Sequence, residues 1–248
     1  MIPVSIVIIT KNEAEIIANC INTCKLITDN IVIVDNGSTD NTLKIAEDLG
    51  CEVYQESWDG YGANKNKGVL YAHYNWILSI DADEIPDQEL INTLHNLNLT
   101  DPKIAFDIPF KNYFGSKRIR FGNWGYDHRI RLFNRHLVKW HESKVHEKLQ
   151  LPAGIKVKRI GGHIHHYTVK NLKECDHKAI YYARLSANQY ISNGKKISFL
   201  KIYVSPIFGF VKDYVLKLGF LDGFEGLDIA LTIYKNTWLK YHFVKQKI

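Results

Sequence analysis

SIVIITKNEAEIIANCINTCKLITDNIVIVD, residues Ser5–Asp35, decides the fold. Two runs of consecutive apolar residues, SIVIIT at 5–10 and NIVIVD at 30–35, flank a segment from Glu13 to Leu26 whose apolar residues recur at helical spacing. Strands that are apolar throughout, rather than at every second residue, are covered on both faces, so the stretch reads as strand, helix, strand in an internal parallel sheet. Outward from it the rhythm continues with a helix over Thr39–Leu49, a strand at CEVY, a helix over Gly62–Tyr74 and a strand at WILSID. Repetition of this unit predicts an α/β fold with a mostly parallel central sheet.

Open sheets of this kind gather ligands beyond the carboxyl ends of their strands. Here those ends carry Thr10, Lys11, Asn12 and Glu13, then Asp35, then Asp81 and Asp83. Asp35-Asn36-Gly37-Ser38-Thr39-Asp40 reads as a turn into a helix with Ser38 or Thr39 as N-cap, which leaves Asp35 in need of a partner at the end of an apolar strand. Asp81-Ala82-Asp83-Glu84 sets three acids in four residues, and their mutual repulsion calls for a cation or a basic group among them. A divalent metal with hard oxygen ligands, Mg2+ or Mn2+ bridging to phosphates, answers that demand economically. Capping of a helix expected from Asp87 is the purely structural alternative.

The 248 residues are 46% hydrophobic and 23% charged, which excludes a disordered or fibrous chain. A formal net charge of +6 hides an asymmetry: residues 1–110 hold 6 Lys and Arg against 17 Asp and Glu, whereas 111–248 hold 26 against 9. The acidic half suits a divalent cation and the basic half an anionic partner such as phosphate, nucleic acid or a membrane surface. Cys20, Cys24, Cys51 and Cys175 have neither disulfide nor zinc spacing and predict a reducing compartment. Without a basic segment before the first apolar run, or about 18 consecutive apolar residues anywhere, neither a signal peptide nor a spanning helix is expected, and the chain reads as cytoplasmic.

SIVIITKNE, IVIVDNGSTDNT, GANKNKG and ILSIDADE, in that order between Ser5 and Glu84, together resemble the family 2 glycosyltransferases, inverting nucleotide-sugar enzymes of GT-A fold. The resemblance implies that Thr10, Asn12 and Glu13 line the nucleoside pocket and that Asp35 takes the pyrimidine edge. It further implies that Lys65 stands near the nucleotide, that Asp81 approaches the ribose or a metal-bound water, and that Asp83 holds the metal bridging the diphosphate. Inverting transfer to a hydroxyl needs a general base. Between Arg129 and Leu149 the acids are Glu142 and Glu147. Val145-His146-Glu147 matches a His-Glu pair in a subgroup resembling lipopolysaccharide-core glucosyltransferases, which implies Glu147 as base, with His146 orienting it or itself accepting the proton. In GGHIHHY, residues 161–167, strand alternation places His163 and His165 on one face and His166 on the other. Some GT-A enzymes use a late histidine as an extra metal ligand, and His166 is the one so implied.

Arg118, Arg120, Arg129, Arg131 and Arg135 interleave with aromatic residues, a pattern that single-strand binders share with sugar sites. With no nucleic-acid module in the chain, nucleic acid is not an expected partner. Lys170–Asn193 reads as a surface helix, and the apolar, lysine-bearing Ile197–Leu221 fits either a helix in a membrane interface or a buried contact with this chain or a second copy. The expected organisation is a GT-A catalytic domain at 1–168, with a nucleotide-sugar and metal half at 1–110 and an acceptor half at 111–168, followed by a helical extension at 169–248. The expected reaction moves a sugar from a nucleotide-diphosphate donor, UDP-linked, to a hydroxyl of an anionic saccharide or glycolipid such as lipopolysaccharide core, at the cytoplasmic face of the inner membrane. Transfer onto polyprenyl phosphate is the enzymatic alternative, and a non-catalytic nucleotide-sugar or nucleic-acid binding protein the alternative of another class.

Overall fold

The computed structural model describes residues 1–142, 148–195 and 197–246. In chain order the first elements are β1 (Val4–Thr10), α1 (Ile17–Cys24), β2 (Ile31–Asp35), α2 (Thr42–Asp48), β3 (Glu52–Gln55), α3 (Tyr61–Tyr71), β4 (Trp76–Asp81), β5 (Glu84–Pro86) and α4 (Gln88–His95). There follow β6 (Ile104–Phe114), β7 (Lys117–Arg118), α5 (Gly122–Gly125), β8 (His128–Asn134), β9 (Lys139–Trp140), β10 (Leu149–Gln150), β11 (Lys156–Arg159) and β12 (Ile164–Val169). The chain ends in α6 (Leu172–Ser192), α7 (Phe199–Val211), a π-helical turn at Lys212–Leu216, a 3-10 turn at Gly219–Asp222 and α8 (Gly223–Gln246).

The chain divides into two compact units, Met1–Phe110 with His128–His166, and Lys111–Asp127 with Tyr167–Ile248. In the first, strands run in the order β3-β2-β1-β4-β8-β6. β1 pairs in parallel with β2 and β4, and β2 with β3, so the parallel core is the one the apolar runs predict. Every residue of β1 and β2 is buried. Alternation divides them between two cores: Ile6, Ile8 and Ile33 pack with α1 and α4, while Val7, Val32 and Val34 face residues of α3. Gly68 permits that second packing, because a Cβ there would overlap the methyl groups of Val7 and Val34. β8 closes against β4 and β6 antiparallel, and β12 pairs antiparallel with β5, matching His166 to Glu84.

Two local expectations change. α1 begins at Ile17, four residues after Glu13, since Glu13–Ile16 forms a turn. α2 has Asn41 as its N-cap without a side-chain bond, not Ser38 or Thr39. Those two residues tie loops together instead: the Ser38 hydroxyl accepts from the Asn12 amide at 2.9 Å, and the Thr39 amide donates to Asn12 Oδ1 at 2.7 Å. Asp87 does cap α4, accepting from the Leu90 amide at 2.9 Å.

In the second unit α8 packs along α6 and α7. Asn236 donates to the Ala179 carbonyl at 2.8 Å, and Lys235 pairs with Asp176 at 2.7 Å. No helix among the described residues is long and apolar enough to cross a membrane.

All four cysteines are free, and Cys20, Cys24 and Cys175 are buried. Burial pushes the half-buried Cys51 thiol up to about 11. An ordinary thiol near pKa 8.5 is about one quarter thiolate at pH 8, against about 0.1% for a thiol at 11. The native chain is therefore expected to react only slowly with a thiol-specific disulfide reagent at pH 8, and to release four thiols once unfolded in guanidinium. A fast-reacting equivalent in the native state would contradict the placement of these residues.

Candidate active site

The strand ends expected to carry chemistry meet at one edge of the parallel core. Register pairs Thr10 with Asp35 and Ile9 with Asp81, which sets the ends of β1, β2 and β4 side by side. Thr10 is buried, and among the described residues its hydroxyl has no hydrogen-bond partner. Asn12 adopts a left-handed backbone, φ +56°, so that its side chain reaches the Thr39 amide while its own amide reaches Ser38. The Glu13 amide donates to Thr42 Oγ1 at 2.8 Å. The KNE loop and the DNGSTDNT loop are thus one hydrogen-bonded structure.

Asp35 finds its partners within its own turn. It is fully buried, Oδ2 accepts from the Gly37 and Ser38 amides at 2.9 Å each, and Oδ1 accepts from the Ser38 hydroxyl. A left-handed Gly37, φ +84°, makes that turn accessible without strain. Asp35 therefore fixes the shape of the strand end, a role that needs no ligand.

Basic side chains answer the repulsion within Asp81-Ala82-Asp83-Glu84. Lys65, on α3 and 1% exposed, lies 3.0 Å from Asp81 Oδ1, with its ammonium 4.7 Å from the centre of the Trp140 ring. Arg131 of β8, 2% exposed, contacts Asp81 Oδ2 at 3.1 Å and Glu84 Oε1 more closely still. Glu84 is wholly buried, and its other oxygen accepts the Asp81 amide at 3.1 Å. Burial by itself would raise the Asp81 carboxyl, but Lys65 and Arg131 outweigh it and hold the group well below the usual range. Burial wins at Glu84 and pushes its carboxyl up against the pull of Arg131.

Lys65 and Arg131 thus face Asp81 and Glu84, with the Arg129 guanidinium 3.7 Å from Glu84, and Asp83 meets a different neighbour. Its Oδ2 faces His166 Nε2 at 3.5 Å, both side chains largely buried, and the Phe110 ring stands edge-on to the imidazole at 6.0 Å. Burial would lower the His166 pKa, yet Asp83 more than compensates and raises it. An anionic oxygen and an imidazole nitrogen converging at a strand end form a mixed donor pair that suits a divalent ion with coordination positions left for a ligand. The two residues singled out for metal are thus brought together. His146 and Glu147 lie outside the described residues, and Glu142 is exposed.

Asp87, Glu89 and His163 make a second convergence, their ligand atoms all within 4.8 Å of one another. Asp87 is already engaged there: besides capping α4 it accepts the His163 amide at 2.9 Å and lies 3.3 Å from His163 Nδ1. Sequence reasoning missed Arg131, which it grouped with a surface of interleaved basic and aromatic residues. It also left Glu84 as one acid of three. The signal available was an arginine within an apolar strand, RIRLF, since a guanidinium flanked by core residues needs a buried carboxylate. Arg135 likewise turns inward, donating to the Val69 and Ala72 carbonyls at the end of α3.

The model of Glycosyl transferase family 2 matches residues 5–158. An uncharacterized glycosyltransferase of Rickettsia prowazekii is 33% identical over 238 residues, which cover 90% of this chain and 80% of that one. The lipopolysaccharide core biosynthesis glycosyltransferase LpsC of Rhizobium meliloti is 28% identical over 238 residues, covering 93% of this chain and 87% of its own. Among solved structures, glucosyl-3-phosphoglycerate synthase from Mycobacterium tuberculosis in complex with Mn2+, UDP and glucosyl-3-phosphoglycerate is similar with a TM-score of 0.36 and 23% identity, over 46% of this chain and 44% of that one. The chain belongs to glycosyl transferase family 2 and is a glycosyltransferase.

Proposed function

We propose that this glycosyltransferase transfers a sugar, with inversion at the anomeric carbon, from a UDP-linked donor to a hydroxyl of an anionic saccharide of the cell envelope, such as lipopolysaccharide core. The observation that carries the reading is the approach of Asp83 to His166, 3.5 Å apart, beside the contacts of Lys65 and Arg131 with Asp81 and Glu84. Asp83 and His166 would hold Mg2+ or Mn2+, which supplies positive charge to a departing diphosphate. Thr10, Asn12 and Glu13 offer the nucleoside a rigid edge, with Asp35 holding the turn beneath. Asp81, pinned from two sides by Lys65 and Arg131, remains partly exposed and in reach of a ribose hydroxyl. Glu147 takes the proton from the acceptor hydroxyl, with His146 beside it in sequence. The relative named for lipopolysaccharide core biosynthesis supports the acceptor class.

Calorimetric titration with UDP, GDP and CDP, each with and without Mn2+, tests the donor site. UDP is expected to bind only with metal, and Asp83→Ala to weaken that binding at least about a hundredfold, since loss of a charged ligand oxygen forfeits several kcal/mol of charge stabilisation. Nucleotide binding indifferent to both the metal and Asp83 would overturn the assignment.

A further inference from the structure

We propose that the outer face of α7, in the C-terminal helical unit, docks on a lipid bilayer that carries anionic head groups. The observation is a helix with its most apolar stripe turned outward. Phe199, Leu200, Tyr203, Val204, Ile207 and Phe208 are 46–73% exposed and recur at i, i+1, i+4, i+5, i+8 and i+9, which is one face of an α-helix. The opposite side meets α8 at Gly209, where an added Cβ would lie 3.3 Å from Ile233. Leu216, Leu218 and Leu221, in and between the two turns that follow, are exposed as well, with Leu218 in a left-handed conformation, φ +60°. Large apolar residues exposed together over more than twenty positions are not the scattered surface hydrophobics of a free-standing fold.

Charge selects the occupant. Both acids between Phe199 and Asp222 are turned inward: Asp213 is 1% exposed and accepts the Asn123 amide at 2.6 Å, while Asp222 is 5% exposed and accepts from the Arg120 and Phe121 amides. The basic residues of the same stretch stay at the surface. Lys201 and Lys212 are exposed and Lys217 is half-buried; Lys201 bonds the Tyr190 hydroxyl at 2.9 Å, and Lys217 bonds Asn123 Oδ1 at 2.5 Å. The whole unit holds 17 Lys and Arg against 7 Asp and Glu, a formal net charge of +10. A second copy presenting the same face would oppose like charges, whereas a bilayer with anionic head groups offers an apolar interior to the stripe and negative charge to its lysines. No described helix is long and apolar enough to span, so the contact lies in the interface plane.

Flotation of the full chain with phosphatidylcholine vesicles, and with vesicles of phosphatidylcholine mixed with phosphatidylglycerol, tests this independently of any sugar chemistry. The protein is expected to float with the anionic vesicles and to be released by salt. Leu200→Glu combined with Phe208→Glu, both at exposed positions, is expected to lower partitioning at least about tenfold with an unchanged melting temperature. Lys212→Glu is expected to lower it about tenfold, because one lysine contributes about 1 kcal/mol near such a surface and its reversal costs more. Failure to float, or equal binding to neutral vesicles by wild type and variants alike, overturns the proposal. So does a dimer mass by light scattering that the double glutamate variant reduces to a monomer, since a second copy would then cover the face.

Discussion

Arg131→Met is expected to cost about 3–5 kcal/mol of folding stability, the range found when one partner of a buried ion pair is removed and the other stays charged. Glu84 would remain fully buried, with the Asp81 amide at 3.1 Å and the more distant Arg129 guanidinium at 3.7 Å left beside it. At about 2–4 °C per kcal/mol for a chain of this size, the melting temperature should fall by about 10 °C. Methionine conserves bulk and apolar contact, so the loss reports charge rather than a cavity. Adding Glu84→Gln should restore most of it, because the amide oxygen can still accept from Asp81 without a buried charge. A single variant within about 1 kcal/mol of wild type would show that Arg131 does not neutralise this pair.

Turnover should respond most to Glu147→Gln. General-base catalysis contributes about 10²–10⁴-fold, so transfer to a saccharide hydroxyl is expected to fall by that factor while metal-dependent nucleotide binding is unchanged. Glu142→Gln, at an exposed position, serves as the comparison and should leave turnover within a fewfold of wild type. Retained turnover in the Glu147 variant would point to an acceptor that is already anionic, such as polyprenyl phosphate, whose oxygen needs no proton removed. Loss in the Glu142 variant alone would move the base to that residue.

Several features of the site were legible in single segments. Asp87 was recognised as a helix start because N-capping is settled within four residues, and it accepts the Leu90 amide as expected. His166 was separated from His163 and His165 by strand alternation, and it reaches Asp83. Ser38 and Thr39 were misassigned as caps since their partners lie in the Asn12 loop, 26 and 27 residues away. Asp35 needs a partner at the end of its strand, and the next residues supply it, because a glycine two positions on lets the chain fold back on the carboxylate.

By itself the sequence determined the parallel core, the order of its strands and helices in the chain, and the edge at which Thr10, Asp35, Asp81 and Asp83 gather. Those follow from hydrophobic periodicity and strand direction, which neighbouring residues specify. The tertiary structure alone decided which charges cancel. Arg131 reaches Asp81 and Glu84 across 50 and 47 residues because β8 runs antiparallel beside β4, and Lys65 reaches Asp81 from α3. Coulomb energy depends on distance and burial in space rather than on separation along the chain, so of three acids within four residues Asp81 and Glu84 meet Arg131 while Asp83 faces His166.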